Sequence, residues 1–178
     1  MSSRDVWSRG GREPLRDLLV GSLTSLLIHP EDERPAYFSS PWMSDFPLFD
    51  NQFRQYTALF PEQPDEPQVW FTGFLEMLSR KRPVRIITVR EHKVSERFAA
   101  HPRFHRAGKL EVRFAPTEYH EKGILAPFFY IEGSMNITFS GVNVRSEKVV
   151  FHATDDTMGV EKVARAYLEF DRFWGSLK

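Results

Sequence analysis

Residues 119–148 read YHEKGILAPFFYIEGSMNITFSGVNVRSEK, and the fold turns on how this stretch is understood. Tyr119 to Leu125 has the pattern of a strand. Successive side chains of a strand leave opposite faces, so His120 and Lys122, two apart, project from the same side. Ala126-Pro127 breaks the run, and Phe128 to Ile131 reads as a strand returning beside it. That second run ends in Gly133-Ser134-Met135-Asn136, small and amide-bearing residues suited to a turn. Paired as a hairpin, the two strands carry Ser134 and Asn136 back towards His120 and Lys122. An imidazole, a fixed cation, a hydroxyl and an amide then converge on one point. Such a set suits a phosphate: one member attacks or protonates, and the others donate to its non-bridging oxygens.

Upstream of the hairpin, Val84 to Val89 is an almost unbroken β-branched run, the pattern of a strand buried on both faces. Ala36 to Ser40 and Leu110 to Phe114 read as further strands, and Lys148 to His152 follows the hairpin as another. Helical patterns cover residues 14–29, 68–80, 92–104 and 158–174. The first opens on Pro14, a good first helical residue, and carries Leu15, Leu18, Leu19, Ser22 and Leu26 along one stripe. Residues 43–67, rich in Pro, Phe and Asp, read as a long loop with one helical turn near 51–59. Strands alternating with helices and closing on a hairpin predict an α/β domain, a mixed sheet layered between helices. A flexible arm is expected over residues 1–13, which hold Gly10-Gly11, and a single domain over 14–178.

The chain has 178 residues, enough for one domain with a real core, and 41% of them are hydrophobic, which argues for a packed globule over disorder. Lys+Arg and Asp+Glu balance at 24 each, so no overall charge draws the chain to nucleic acid; binding there needs a local basic patch. There are no cysteines, which excludes disulfides and thiolate metal sites and suits a cytoplasmic location. The N-terminus lacks an apolar signal core, and no apolar run approaches the roughly 20 residues of a membrane span, so no membrane association is expected.

The pattern H-x-K followed by G-S-x-N resembles the catalytic motif of the phospholipase D superfamily, H-x-K-x4-D-x6-G-S-x-N. His120, Lys122, Gly133, Ser134 and Asn136 match it. Glu147, thirteen residues after Ser134, falls where members often carry a glutamate that binds the catalytic imidazole. Pro127 stands at the aspartate position, and the G-S-x-N block arrives one residue early. The phrase GSMNITFSGV followed by a glutamate is similar to single-motif members, among them the DpdK-like phospholipase D-like proteins of deazapurine DNA-modification systems.

This resemblance implies an α-β-α sandwich and a metal-independent phosphodiesterase without cofactors. In the superfamily two H-x-K motifs face each other across a two-fold axis, one histidine forming a phosphohistidine and the other protonating the leaving oxygen. This chain has a single motif, so the resemblance implies a homodimer. His120 would then be nucleophile in one subunit and acid in the other, with Lys122, Ser134 and Asn136 on the phosphate oxygens and Glu147 on an imidazole. The leading expectation is a nuclease acting on DNA, with other proteins of a modification, restriction or defence system as partners. A phospholipase acting on lipid headgroup esters and a decayed nucleic-acid-binding or scaffold protein are the alternatives.

Several other residues invite chemistry. His101 and His105 have i, i+4 spacing, but Pro102 argues against a regular helix and no further ligand completes a metal set, so a structural role is expected. Lys81, Arg82, Arg85 and Arg90 flank the buried strand as a candidate phosphate-binding edge, with solvated strand ends as the plainer reading. Trp42, Phe46 and Phe49 suit stacking on bases or a dimer interface, with core packing as the default.

Overall fold

A computed structural model describes residues 3–7, 13–29, 32–62 and 65–178. Its strands are β1 (Ser3–Trp7), β2 (Ala36–Ser39), β3 (Pro47–Asp50), β4 (Gln68–Trp70), β5 (Val84–Val89), β6 (Leu110–Ala115), β7 (Gly123–Ala126), β8 (Phe129–Gly133) and β9 (Lys148–Ala153). The helices are α1 (Glu13–Ile28), α2 (Phe71–Lys81), α3 (Lys93–Ala99), α4 (Phe139–Asn143) and α5 (Thr157–Ser176), with a 3-10 turn over Pro102–His105. Among the described residues seven strands form one sheet in the order β1-β9-β8-β7-β2-β5-β6. The pairs β2–β5 and β5–β6 are parallel, while β7 is antiparallel to both β2 and β8. The sheet is therefore mixed, as expected.

Alternation along the strands builds two cores. Ala36, Phe38, Val84, Ile86, Ile124 and Ala126 face one way and pack with α1, α2 and α3. Tyr37, Ile87, Val89 and Leu125 face the other way, onto Val163, Ala166, Tyr167, Phe170 and Trp174 of α5. Helix α5 is fastened at its start by Asp156, whose Oδ1 accepts from the Gly159 N–H at 3.0 Å. Two helical layers thus sandwich the sheet. Among the described residues no helix is long and apolar enough to cross a membrane.

Four local expectations need correction. Ser3–Trp7, inside the presumed arm, pairs antiparallel with β9, each residue from Ser3↔His152 to Trp7↔Lys148 in register. Its polar, non-alternating sequence hides a strand that needs no buried face at a sheet edge. The long loop holds β3, which pairs with β4 as a separate two-stranded sheet. Phe46, Phe49 and Phe60 anchor this segment in the core, so Phe46 and Phe49 are packing residues. The helix expected over 92–104 stops at Ala99, and the 3-10 turn follows; His101 opens that turn, its Nδ1 accepting from the Arg103 N–H at 3.3 Å. Finally, β7 begins at Gly123, so Tyr119 to Lys122 is an irregular lead-in. Its neighbour β2 ends at Ser39, opposite Gly123.

Candidate functional site

Because β7 runs antiparallel to β2, the start of β7 lies at the C-terminal ends of the parallel strands β2 and β5. The chain steps outward from β2 to β5 and β6, then returns across the sheet to β7 on the other side of β2. The entrance to β7 is therefore a topological switch point, where open α/β sheets leave a crevice for ligands. His120 and Lys122 stand in that entrance.

Strands β7 and β8 form the expected hairpin, in register from Ala126↔Phe129 to Gly123↔Glu132 and closed by Pro127-Phe128. Pairing continues past Gly123, with the Gly133 N–H donating to the Lys122 carbonyl at 3.4 Å. A cleft of about 570 Å³ opens here, lined by His120, Glu121, Lys122 and Gly133 together with Tyr130, Glu132, Glu169, Phe170 and Phe173. His120 is exposed and Lys122 half-buried. The Lys122 ammonium donates to the His120 carbonyl at 2.7 Å, which folds the cation over the lead-in. Tyr119 anchors this segment. Its ring stacks on Phe173 at 5.1 Å, and its hydroxyl shares a hydrogen bond with the buried Ser39 hydroxyl.

The second half of the motif is shaped by glycine. Gly133 ends β8 at φ +155°, and a Cβ there would lie 2.3 Å from the Lys148 carbonyl oxygen on β9. That close approach sets Ser134 between two strands: its N–H donates to the Lys148 carbonyl at 3.0 Å, and its Oγ accepts from the Lys148 N–H at 3.1 Å. Ser134 Oγ in turn donates to Glu147 Oε2 at 2.5 Å. Asn136 is buried, with its Oδ1 accepting from Ser40 Oγ at 3.2 Å. Holding Oδ1 in this way turns the amide N–H₂, the donor a phosphate needs, away from Ser40. Behind Asn136, Gly141 lets α4 close tightly: a Cβ there would sit 2.1 Å from the Asn136 carbonyl oxygen.

The structure thus brings Ser134 to Glu147 and Asn136 to Ser40, and seats His120 with Lys122. The walls of the His120 cleft do not include Ser134, Asn136 or Glu147. Gly133 and Lys122 join the two groups through the ladder.

One wall of the cleft carries groups that motif reasoning missed. Glu132 Oε1 lies 2.8 Å from both His152 Nε2 and Lys162 Nζ. Burial raises the Glu132 carboxyl, but hydrogen bonds from Lys162 and His152 outweigh it and hold the group below the usual carboxylate range. Burial, with the nearby Glu132 charge, pushes the Tyr130 hydroxyl well above its ordinary value, so it stays a proton donor. The only sequence signal for this wall is alternation, which puts Tyr130 and Glu132 on one face of β8. The contribution of Lys162, from α5, has no local signature.

The candidate basic edge divides. Arg82 is wholly buried, with Nη2 donating to the His29 carbonyl at 2.6 Å, and Arg85 pairs with Asp171 at 3.0 Å. Both lie at the start of β5, opposite the site. Arg90 follows the end of β5 and is exposed at the site's edge of the sheet.

The layered mixed sheet is similar in fold to known structures that superpose on nearly the whole chain, a phospholipase D family member among them. Nuc from Salmonella typhimurium, a phospholipase D family member, matches at TM-score 0.60 and 14% identity, over 99% of this chain and 96% of its own. NucT from Helicobacter pylori matches at 0.57 and 12%, over 98% of each chain. The phosphatidylserine synthase of Haemophilus influenzae matches at 0.56 and 13%, over 99% of this chain but 39% of its own. No protein-family model matches the sequence, and no curated protein matches it either.

Proposed function

We propose that this protein is a metal-independent phosphodiesterase that cleaves nucleic acid through His120 at a homodimer interface. The observation that carries the reading is the placement of His120 and Lys122 in one open cleft, at the switch point of a phospholipase D fold. In this reading the His120 imidazole attacks phosphorus, forming an N–P bond as the P–O bond to the leaving group breaks. The partner's His120 gives its proton to the departing oxygen. Water, deprotonated by that same imidazole, then attacks phosphorus, and the N–P bond breaks. Lys122 and the Asn136 amide stabilise the charge that develops on the non-bridging oxygens, the role otherwise open to a divalent ion.

Glu147, bonded to Ser134, holds the motif's second half, and in this reading it accepts a ring N–H of a catalytic imidazole when the dimer forms. The dimer follows from the single H-x-K, because one protomer supplies one histidine. Nucleic acid is favoured over lipid by size: the chain matches the two small neighbours nearly end to end and only 39% of the phosphatidylserine synthase. The finer placement, with the single-motif proteins of deazapurine DNA-modification systems, is supported by the phrase GSMNITFSGV alone.

The test is turnover of single- and double-stranded DNA, RNA, a phospholipid and a chromogenic bis-phosphodiester, with and without EDTA. Activity on a nucleic acid that survives EDTA and disappears in His120→Ala is expected. A heterodimer of one wild-type and one His120→Ala subunit should fail as badly as the double mutant. Half activity in that heterodimer would sink the two-histidine reading. Turnover of phospholipid alone would move the substrate to lipids, and inactivity on every substrate would leave a binding or scaffold protein.

A further inference from the structure

Trp42 has a clamped backbone beside the candidate site's Asn136, yet the residue is 41% exposed. The preceding Pro41 carbonyl accepts from Ser95 Oγ at 2.9 Å and from Thr88 Oγ1 at 3.2 Å, and the following Met43 N–H donates to Ser95 Oγ at 3.1 Å. The Trp42 carbonyl accepts from Ser40 Oγ at 2.8 Å. The same proton is shared with Asn136 Oδ1, which lies 3.2 Å from Ser40 Oγ, so one serine stands between Trp42 and a motif residue of the candidate site. Met43 also bridges Ile137 in parallel, which sets Trp42 beside Asn136. The ring has a partner on its other side, His92, with centroids 4.9 Å apart and planes inclined by 55°.

Core packing explains none of this, because a locked backbone presenting a half-exposed indole does not fill the interior. A rigid aromatic at a site edge is the arrangement with which proteins stack unpaired bases. The surrounding charge fits a phosphate backbone. Residues 90–93 carry two cations, Arg90 and Lys93, against one carboxylate, Glu91, all three exposed, with the Arg90 guanidinium lying over the Phe114 ring at 4.2 Å. Duplex bases are stacked on each other and offer no free face, so such a platform discriminates by strandedness.

We propose that Trp42, backed by His92, is a base-stacking platform that seats the nucleotide flanking the reactive phosphate and selects single-stranded nucleic acid. This rests on the nucleic-acid reading of the same site. A second copy of the chain is the other occupant such a surface admits, and the test separates the two.

Binding is measured in the His120→Ala background, where turnover cannot remove the probe, by fluorescence anisotropy of a labelled oligodeoxythymidylate and of a labelled hairpin duplex. Trp42→Ala is expected to weaken oligodeoxythymidylate binding by about tenfold or more, the scale of one lost base stack, and to leave the duplex little changed. Trp42→Phe should recover most of the loss, and His92→Ala should reproduce part of it. Sedimentation mass should be the same for all variants. An unchanged oligodeoxythymidylate affinity overturns the proposal, as does an equal loss on single strand and duplex or a Trp42→Ala protein that changes its oligomeric state. A wild-type chain without turnover that still binds single strands through Trp42 overturns the phosphodiesterase reading and leaves this one standing.

Discussion

The two ends of the β7–β8 hairpin have opposite characters. At the turn end, Pro127-Phe128 closes the loop, Pro127 is buried, and its carbonyl meets Arg34 Nη2 at 3.4 Å. At the open end stand His120, Lys122, Gly133 and Ser134, three of them exposed around a cleft or at its rim. The motif's aspartate position falls at the turn end, and its other positions fall at the open end. Departures from the motif's pattern therefore lie a hairpin's length away from His120 and Lys122.

Substitutions at the two ends should separate turnover from stability. His120→Ala is expected to lower turnover by at least about 10³-fold with little change in Tm, because the side chain is exposed; kinetics and a thermal melt on the same sample check both. Lys122→Ala should cost roughly 10²–10³-fold in kcat, the scale of one lost donor to a developing anion. Gly133→Ala should show both effects. Its positive φ and the 2.3 Å approach to Lys148 predict strain of roughly 1–3 kcal/mol, a Tm drop of roughly 3–10 °C, and about 10²-fold slower turnover as the motif is displaced.

Glu132→Gln is expected to move stability more than rate, by roughly 1–4 °C at neutral pH. The folded-state carboxyl lies below its ordinary value, so its contribution is present above the unfolded pKa and is lost as pH falls through the folded one. Melting curves of wild type and variant should therefore converge in acid; a gap that persists there would show that packing, and not the charge, was removed. Pro127→Asp, which restores the family residue at the turn end, should leave kcat within about twofold. A large rate change from that substitution would break the separation between the two ends.

Elements governed by local pattern were legible in the sequence. The β-branched run of β5 forms an interior strand, and the closing helix forms where its pattern put it, with Val163, Tyr167 and Phe170 buried but Val160 and Leu168 exposed. The hairpin needed only a breaker between two apolar runs. What was hidden depends on partners distant in sequence. His120 lies outside the strand ladder, and Lys122 keeps only its bond to Gly133, where β2 stops at Ser39 and Tyr119 turns inward to Ser39 and Phe173. Edge strand β1 has no buried face to impose a period. Ser40 and Lys162 reach the site's surroundings from elements with no motif of their own, and Trp42 looked like a core aromatic because exposure is not written in residue type.

The link between Ser40 and Asn136 spans 96 residues of chain. It has a consequence for how the molecule comes into being. During synthesis β2, α2 and β5 emerge and can pair long before β7 exists, leaving one edge of β2 open, with the hydrogen-bonding groups of its central residues unmatched. Closing so long a loop adds little to the equilibrium cost but makes the pairing slow to find. The candidate site's edge is thus among the last parts to be assembled, and the nascent chain passes through a stage in which a bare strand edge invites wrong pairing.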